Sequence, residues 1–509
     1  MKIEKITFIT PSLPYPNLVS HILMVEYGPP LIATIARNAG YDVQLFAEHV
    51  APIDWDRVLT SDVVGFHTFS STMPKIIAYT RRIRAARPDM PIIIGGTHAS
   101  VMVEDTLQYC DYVVRQEGDE TLLDLLDTLK NGGDLSRVRG ISYKVDGVVR
   151  HNLDRPFVER FHTIPDLELV HGYTKVSKLT LLRRLMTRWN VLQTSRGCPF
   201  DCAFCIAPRE LGRGYRVRDI ESVIADIKYQ RALTGCRRFF IVDNHFTVNA
   251  RRTKALLSRI IEERLDWEAL CFTRIEVARD PEMLDLLRQA GINTLYIGME
   301  SFDDAVLKLL NKSQTRESIR RAIETIHAHG LRVLGSFVLG SDSETVQTIR
   351  ATVDLAIALD IEYAAFFPLS GYPEEDGRLI PLDRFFFDDW GRLDGCHVVF
   401  LPKHMKPSTL QREIHRAYRT FYGPRQILHL LLRRRFREAL RRAAYRLWIW
   451  EMERSASKWI ADLEAREGPY YDANEQLLED RVEGLVPCQY PGSSRRSGAA
   501  PTVTSMPAS

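Results

Sequence analysis

Residues 194–205 read Thr194-Ser195-Arg196-Gly197-Cys198-Pro199-Phe200-Asp201-Cys202-Ala203-Phe204-Cys205, with cysteines at the spacing C-x3-C-x2-C. Three of the eight cysteines thus crowd into eight residues, while Cys110, Cys236, Cys271, Cys396 and Cys488 are scattered. That distribution reads as a metal or cluster loop with buried or neutral thiols elsewhere, not as a disulfide framework. Three thiolates on one short loop suit three corners of a cubic iron–sulfur cluster and leave its fourth iron open. A structural zinc site wants four protein ligands in a closed tetrahedron, and no fourth cysteine or histidine lies close by in sequence. Ordinary ferredoxin clusters also take four cysteines.

Outward from this loop, residues 191–375 alternate strand and helix patterns. VLQTSR leads into the cysteines, and RRFFIVDN, EALCFTRI, INTLYIGME, LRVLGSFVLG and IEYAAFFPLS follow as strands. Six parallel strands with intervening helices predict a partial (β/α)6 barrel with its site at the carboxyl ends of the strands. Residues 1–150 carry a second alternation: KITFIT, a helix over Pro30–Ala39 closed by Gly40, YDVQLF, DVVGFHT, a helix over Met73–Ala86, PIIIGG and DYVVRQ. This α/β pattern predicts a doubly wound, Rossmann-like parallel sheet. Residues 151–190, with the basic stretch LLRRLMTRW, read as a linker; residues 376–470 read as mainly helical. Residues 471–509, ending PGSSRRSGAAPTVTSMPAS, read as a disordered tail.

The chain has 509 residues, too many for one ordinary domain. Its 45% hydrophobic and 26% charged residues are those of a soluble globular protein. A net charge of +3 gives no argument for nucleic acid as a partner. No signal-peptide core opens the chain, and no segment reaches the roughly 18–20 apolar residues needed to span a bilayer. A cytoplasmic location is expected, with contact at a membrane surface left open.

The loop C-x3-C-x-aromatic-C, after a strand and Arg-Gly, resembles the signature of the radical S-adenosylmethionine (SAM) family. That resemblance implies a [4Fe-4S] cluster on Cys198, Cys202 and Cys205, whose open iron chelates the amino and carboxylate groups of SAM. It also implies an electron donor such as flavodoxin or ferredoxin, cleavage to a 5′-deoxyadenosyl radical, and hydrogen abstraction from substrate. Phe204 would then lie beside the cofactor. Asp243, in Asp243-Asn244-His245-Phe246, would lie near the methionyl end. Glu300 and Ser301, in Gly298-Met299-Glu300-Ser301, would meet ribose or carboxylate, and Gly335 and Gly340 would run along the adenine. Arg274 is a candidate carboxylate partner, with a surface ion pair as the plain alternative.

The N-terminal region is similar to the cobalamin-binding domain of the cobalamin-dependent branch of that family. The matching loops are Tyr27-Gly28-Pro29, Ser70-Ser71-Thr72, Gly95-Gly96-Thr97-His98 and Glu117-Gly118, each at a strand's carboxyl end. Glycine lets backbone approach a flat macrocycle closely. Many cobalamin proteins carry D-x-H-x-x-G after the first strand; here the loop reads Pro11-Ser12-Leu13-Pro14-Tyr15-Pro16-Asn17. The resemblance therefore implies cobalt without a histidine lower ligand, although His98 and His67 lie in neighbouring loops. No G-x-G-x-x-G follows Ile9, which disfavours a dinucleotide.

The resemblance implies a methyltransferase acting on an unactivated carbon through methylcobalamin and the adenosyl radical. The alternatives are a cyclase or rearrangement enzyme on the same cofactors, and a sensor of cluster or cobalamin without turnover. A hydrophobic small-molecule substrate is expected. The segment LLLRRRFREALRRAAYRLWIWEMERSASKW is either a basic amphipathic helix on an anionic membrane or a helix packed on the barrel with a solvated basic face. Phe385-Phe386-Phe387 and Trp390 either line a hydrophobic pocket or fill the core.

Overall fold

The computed structural model describes residues 2–15, 22–174, 188–372 and 379–482. Strand β1 (Lys5–Thr10) has five of six residues buried, Thr7 and Thr10 among them, as a strand covered on both faces must be. It pairs in parallel with β2 (Asp42–Ala47) and β3 (Val63–Thr68), and β4 (Ile92–Gly96) and β5 (Tyr112–Val114) extend the sheet beyond β3. The order β2-β1-β3-β4-β5 reverses direction between β1 and β3. At that switch point the connections leave on opposite faces, so a crevice opens at the carboxyl ends of the strands. The expected helices sit at Gly28–Asn38, opened by Pro29 and Pro30, and at Met73–Ala86.

Two further strands, β6 (Ile141–Val145) and β7 (Val148–His151), add an antiparallel hairpin to the edge. Asp146 and Gly147 join them with φ of 51° and 78°, the two left-handed residues of a type I′ turn. Residues 152–174, read from the sequence as a linker, pack against the first sheet: Val170 bridges Leu45, and Val170 and Tyr173 are buried. The basic stretch LLRRLMTRW falls mostly outside the described residues.

The second sheet runs in parallel through β8 (Asn190–Leu192) to β15 (Tyr363–Pro368). The short strands β9 (Ser195–Arg196) and β10 (Arg216–Val217) pair with each other instead. Between lie β11 (Arg238–Ile241), β12 (Glu268–Thr273), β13 (Ile292–Glu300) and β14 (Arg332–Leu339), in the order β15-β14-β13-β12-β11-β8. The six strands form the expected open barrel. VLQTSR is not one strand: β8 ends at Leu192, and Ser195–Arg196 turns away to pair with β10.

An open barrel exposes an edge strand, whose unpaired backbone groups need partners. The C-terminal helix Pro407–Phe421 covers β15. The buried Tyr418 hydroxyl accepts from Phe366 N at 2.9 Å. The Tyr422 hydroxyl accepts from Ala364 N at 3.0 Å and donates to Ala364 O at 2.8 Å. Helices Pro424–Leu432 and Phe436–Glu467 follow. Residues 471–482, expected in a disordered tail, pack instead: Tyr471 donates to Pro402 O at 2.7 Å, and Leu477 N donates to Lys403 O at 2.9 Å. Phe386, Phe387 and Trp390 are core residues.

Beyond β14, Gly340 has φ +100°, and a Cβ there would stand 2.4 Å from Leu410 Cδ2, so only glycine seats the helix Pro407–Phe421. The fully buried Glu344 accepts from Gly340 N at 2.6 Å and Ser341 N at 3.3 Å. Burial outweighs those donors and pushes its carboxyl from 4.5 to about 8. Between those two values the folded chain holds a proton that the unfolded chain releases, so this group's contribution to stability falls as pH rises through the window. Glu344→Gln should therefore gain thermal stability relative to the parent chain from pH 5 to pH 8, read as a widening difference in Tm. A difference independent of pH would refute the buried-proton account.

Candidate cofactor and active site

The cysteine loop is pinned by its backbone. Gly197 has φ +85°, and a Cβ there would meet Gly214 O at 2.1 Å. Cys198 N donates to Gly212 O and Ala203 N to Leu310 O, each at 3.1 Å, and Asn311 Nδ2 holds Asp201 O at 2.7 Å. Ahead of the loop, the buried Asp243 carboxylate accepts from Thr194 N, Thr194 Oγ1 and Ser195 Oγ, each at 2.6 Å. Asp243, expected to touch SAM, thus has both oxygens engaged in ordering the strand that leads to the cysteines.

Cationic and aromatic side chains surround the thiols. Arg274 Nη1 lies 3.5 Å from Cys202 Sγ, its guanidinium covers the Phe200 ring at 4.1 Å, and Glu276 holds it at 3.0 Å. His245 stacks on Phe200 at 5.4 Å, and burial, then Arg274, pushes its imidazole down to about 4. Lys312 pairs with Glu300 at 2.9 Å, both nearly inaccessible, and its ammonium lies 5.8 Å from the Phe204 ring centre. Glu300 holds a left-handed φ of 66° at the end of β13. Burial of the sulfurs pushes the Cys198 thiol up and the Cys205 thiol up to about 11. Among the described residues, no three His, Cys, Asp or Glu side chains converge as around a single metal ion. A cubic cluster takes each thiolate on a separate iron, so its ligands stand apart around it. Three thiols on one clamped loop, flanked by Arg274 and Lys312, fit an anionic thiolate-bound cluster.

The remaining barrel residues take supporting places. Ser301 is buried, and its Oγ accepts from Asp303 N at 3.1 Å. A Cβ on Gly335 would meet Phe337 at 3.0 Å and Met299 at 3.3 Å, and Gly340 seats the C-terminal helix. Ser301, Gly335 and Gly340 do not line the cavity of about 480 Å³ at the switch point described next.

At the switch point of the first sheet lies a cavity of about 480 Å³. Its wall includes Tyr27, Gly28, Pro29, Gly95, Gly96, Thr97, Glu117 and Gly118. These are the loops expected to hold cobalamin. Phe8, Gly65, His67 and Leu122 also line it, as do Val191, Gln193, Arg196 and Val242 from the barrel. Exposed glycine backbone and an apolar floor fit a large flat macrocycle. Ser70, Ser71, Thr72 and His98 do not line this cavity. All four are buried: Ser70 Oγ bonds His98 Nδ1 at 2.9 Å, and Trp390 packs on the imidazole at 4.6 Å. Asp105 lies 3.5 Å from its Nε2, so burial and these neighbours make His98 a core residue. His67 does reach the cavity, with Nδ1 at 3.0 Å from Glu26.

Glu117 has a larger task than lining. It takes Arg216 at 2.8 Å and Arg196 at 3.2 Å, and its Oε2 accepts from Val158 N at 2.7 Å. Arg196 also forks onto Asp119 at 3.0 and 3.1 Å. A second joint runs through Tyr27, whose hydroxyl donates to Asp226 at 2.9 Å beside Arg218. Sequence reading missed this joint because its partners are far apart along the chain.

A second cavity, of about 620 Å³, opens beside the cysteines. Phe204, Cys205, Leu369, Tyr372, Ile380 and Phe385 line it, with Arg209 and Arg213 at its polar side.

Two family models match the chain: the radical SAM superfamily over residues 192–356 and the B12 binding domain over residues 23–126. The chain is a radical SAM protein with a cobalamin-binding domain. It is 28% identical over 439 residues to an uncharacterized methyltransferase of Pyrococcus horikoshii, covering 83% of this chain and 93% of that one. It is 25% identical to the anaerobic magnesium-protoporphyrin IX monomethyl ester cyclase of Synechocystis, covering 75% and 77%. Among solved structures, the radical SAM methyltransferase TsrM from Kitasatospora setae superposes with a TM-score of 0.61 at 18% identity, covering 74% and 75%. That likeness speaks to the fold.

Two tests follow from the geometry. Each of Cys198→Ala, Cys202→Ala and Cys205→Ala should abolish cluster absorption near about 400 nm in reconstituted protein while the far-ultraviolet circular dichroism stays unchanged. An intact cluster in any single variant overturns the ligand assignment. Glu117→Ala leaves Arg216 without a carboxylate and Arg196 with Asp119 alone, and should cost about 3–5 kcal/mol in urea unfolding; a loss below about 1 kcal/mol would mean the joint is solvated.

Proposed function

We propose that this radical SAM protein methylates an unactivated carbon of a hydrophobic small molecule. The observation that carries the reading is the single helical turn Ala207–Glu210, directly after Cys205. Pro208 and Arg209 face the 620 Å³ cavity, while Glu210 and Leu211 face the 480 Å³ cavity. One turn of chain therefore separates a space beside the cysteines from a space at the switch point. A substrate in the first would lie within reach of groups held at both.

In this reading Cys198, Cys202 and Cys205 would hold the [4Fe-4S] cluster, and Tyr27, Gly28, Pro29, Gly95, Gly96, Thr97 and Gly118 would border cobalamin. When bound, these groups supply hydrogen abstraction from an inert carbon and donation of a methyl group. The chain's own residues hold the parts in register. The Glu300–Lys312 pair offers a fixed carboxylate and ammonium beside Phe204, suited to the charged amino-acid end of SAM. The mixed wall of Leu369, Ile380 and Phe385 excludes water and suits an apolar substrate body. Arg209 and Arg213 suit an anionic end of that substrate. Reduction of the cluster calls for a one-electron donor of the flavodoxin or ferredoxin class.

The relation to a protein named as a cyclase favours one second reading, ring closure without methyl transfer. Product analysis separates the two. Methyl transfer should give both 5′-deoxyadenosine and S-adenosylhomocysteine in anaerobic, reduced reactions with cobalamin. Deoxyadenosine without S-adenosylhomocysteine would select the cyclase reading. Absence of SAM cleavage by cluster-loaded protein would refute both.

A further inference from the structure

We propose that the outer face of the helices Pro424–Leu432 and Phe436–Glu467 docks on an anionic lipid bilayer. Exposed large apolar side chains concentrate there. Leu432 is 75% exposed, Phe436 62%, Leu440 74%, Leu447 70% and Trp450 61%. With Leu428 and Leu431 they make seven of the twelve such side chains among the described residues, so the patch is local and not a general property of the surface.

The patch is one face. At about 100° per residue, Phe436, Leu440, Leu447 and Trp450 fall within an arc of about 80°. The opposite face, with Ile449, Met452, Trp459 and Leu463, is buried against the rest of the chain. The longer helix is thus apolar on two sides, and the fold uses only one.

Charge identifies what covers the other side. Residues 425–446 hold eight arginines against a single acidic residue, Glu438. Some of that charge is used internally: Arg433 and Arg435 pair with Asp360, and Arg442 is buried. Arg425, Arg434 and Arg437 are exposed and make no ion pair among the described residues. Arg454 lies over the Trp450 ring at 5.6 Å. Leucine, phenylalanine and tryptophan flanked by long cationic stems match the headgroup–acyl boundary of an anionic leaflet. A second copy across a twofold axis would set arginine against arginine. A nucleic acid would leave Leu432, Phe436 and Leu440 in water. No described helix is long and apolar enough to cross a membrane, so the contact is peripheral.

The test is sedimentation of the full, cluster-loaded chain with vesicles of phosphatidylcholine alone and with a quarter phosphatidylglycerol added. Binding should require the anionic lipid and weaken with salt. Arg434→Gln and Arg437→Gln should each lower the partition coefficient about five-fold, and Leu440→Glu on the order of ten-fold or more. These positions are exposed, so cluster absorption should be unchanged in all three. Equal binding to neutral vesicles overturns the proposal, as does failure of the parent chain to sediment. A dimer in analytical ultracentrifugation that Leu440→Glu disperses, without vesicle binding, would assign the face to a second copy instead. The readout needs no turnover, so it succeeds or fails independently of the methyl-transfer reading.

Discussion

The structure turns on a guanidinium. Arg196 lies two residues before Cys198 and is almost wholly buried between the two sheets. A buried cation without partners costs several kcal/mol, so the domains must meet in the one arrangement that brings Glu117 and Asp119 to it. Both acids sit at the carboxyl end of β5, on the rim of the switch-point cavity. The same contact that neutralises Arg196 therefore fixes the cysteine loop relative to that cavity. Tyr27, Arg218 and Asp226 repeat the device at the start of the helix Gly28–Asn38, so the joint resists both sliding and rotation. Chemistry shared between two cofactors needs such a joint, because reacting atoms misplaced by about 1 Å can lose about a hundred-fold in rate.

Local chemistry carried most of the fold into view. Segments rich in β-branched and aromatic residues, such as KITFIT and INTLYIGME, are strands, and the cysteine spacing is meaningful wherever the loop sits. The hairpin β6–β7 was equally legible, since Asp146-Gly147 is the preferred pair for a type I′ turn, yet no strand was assigned there. The break inside VLQTSR was not legible, because it depends on Asp243, some fifty residues on, drawing Thr194 and Ser195 out of line.

At the site, sequence shows residue types but not which way they face. A small polar loop after a strand looks the same whether it faces a ligand or a neighbouring layer. Ser70-Ser71-Thr72 and His98 have the residue types of a cofactor loop, but Trp390 from the C-terminal region covers them. Glu117 has the type of a ligand contact, and Arg196 and Arg216 claim it. The loop after β1 follows the same logic: Tyr15 donates to Asp389 at 2.5 Å, and Arg392 lies 3.7 Å over its ring. A segment that carries a cobalt-ligating histidine in other cobalamin proteins is here a strut to the C-terminal region.

With Tyr15 committed to Asp389 and Arg392, the imidazole that lines the switch-point cavity among the described residues is His67, at the end of β3, with Glu26 at its Nδ1. His67 thus stands at a strand terminus whose position the sheet register sets. On the far side, the turn Ala207–Glu210 is tied at one end to Cys205 and at the other to Leu211, whose carbonyl accepts from Arg216 at 2.7 Å. Arg216 is held in turn by Glu117. The wall between the two cavities thus hangs from the same acid as the domain joint, so the spacing between cluster loop, substrate space and switch point is governed by one charge network.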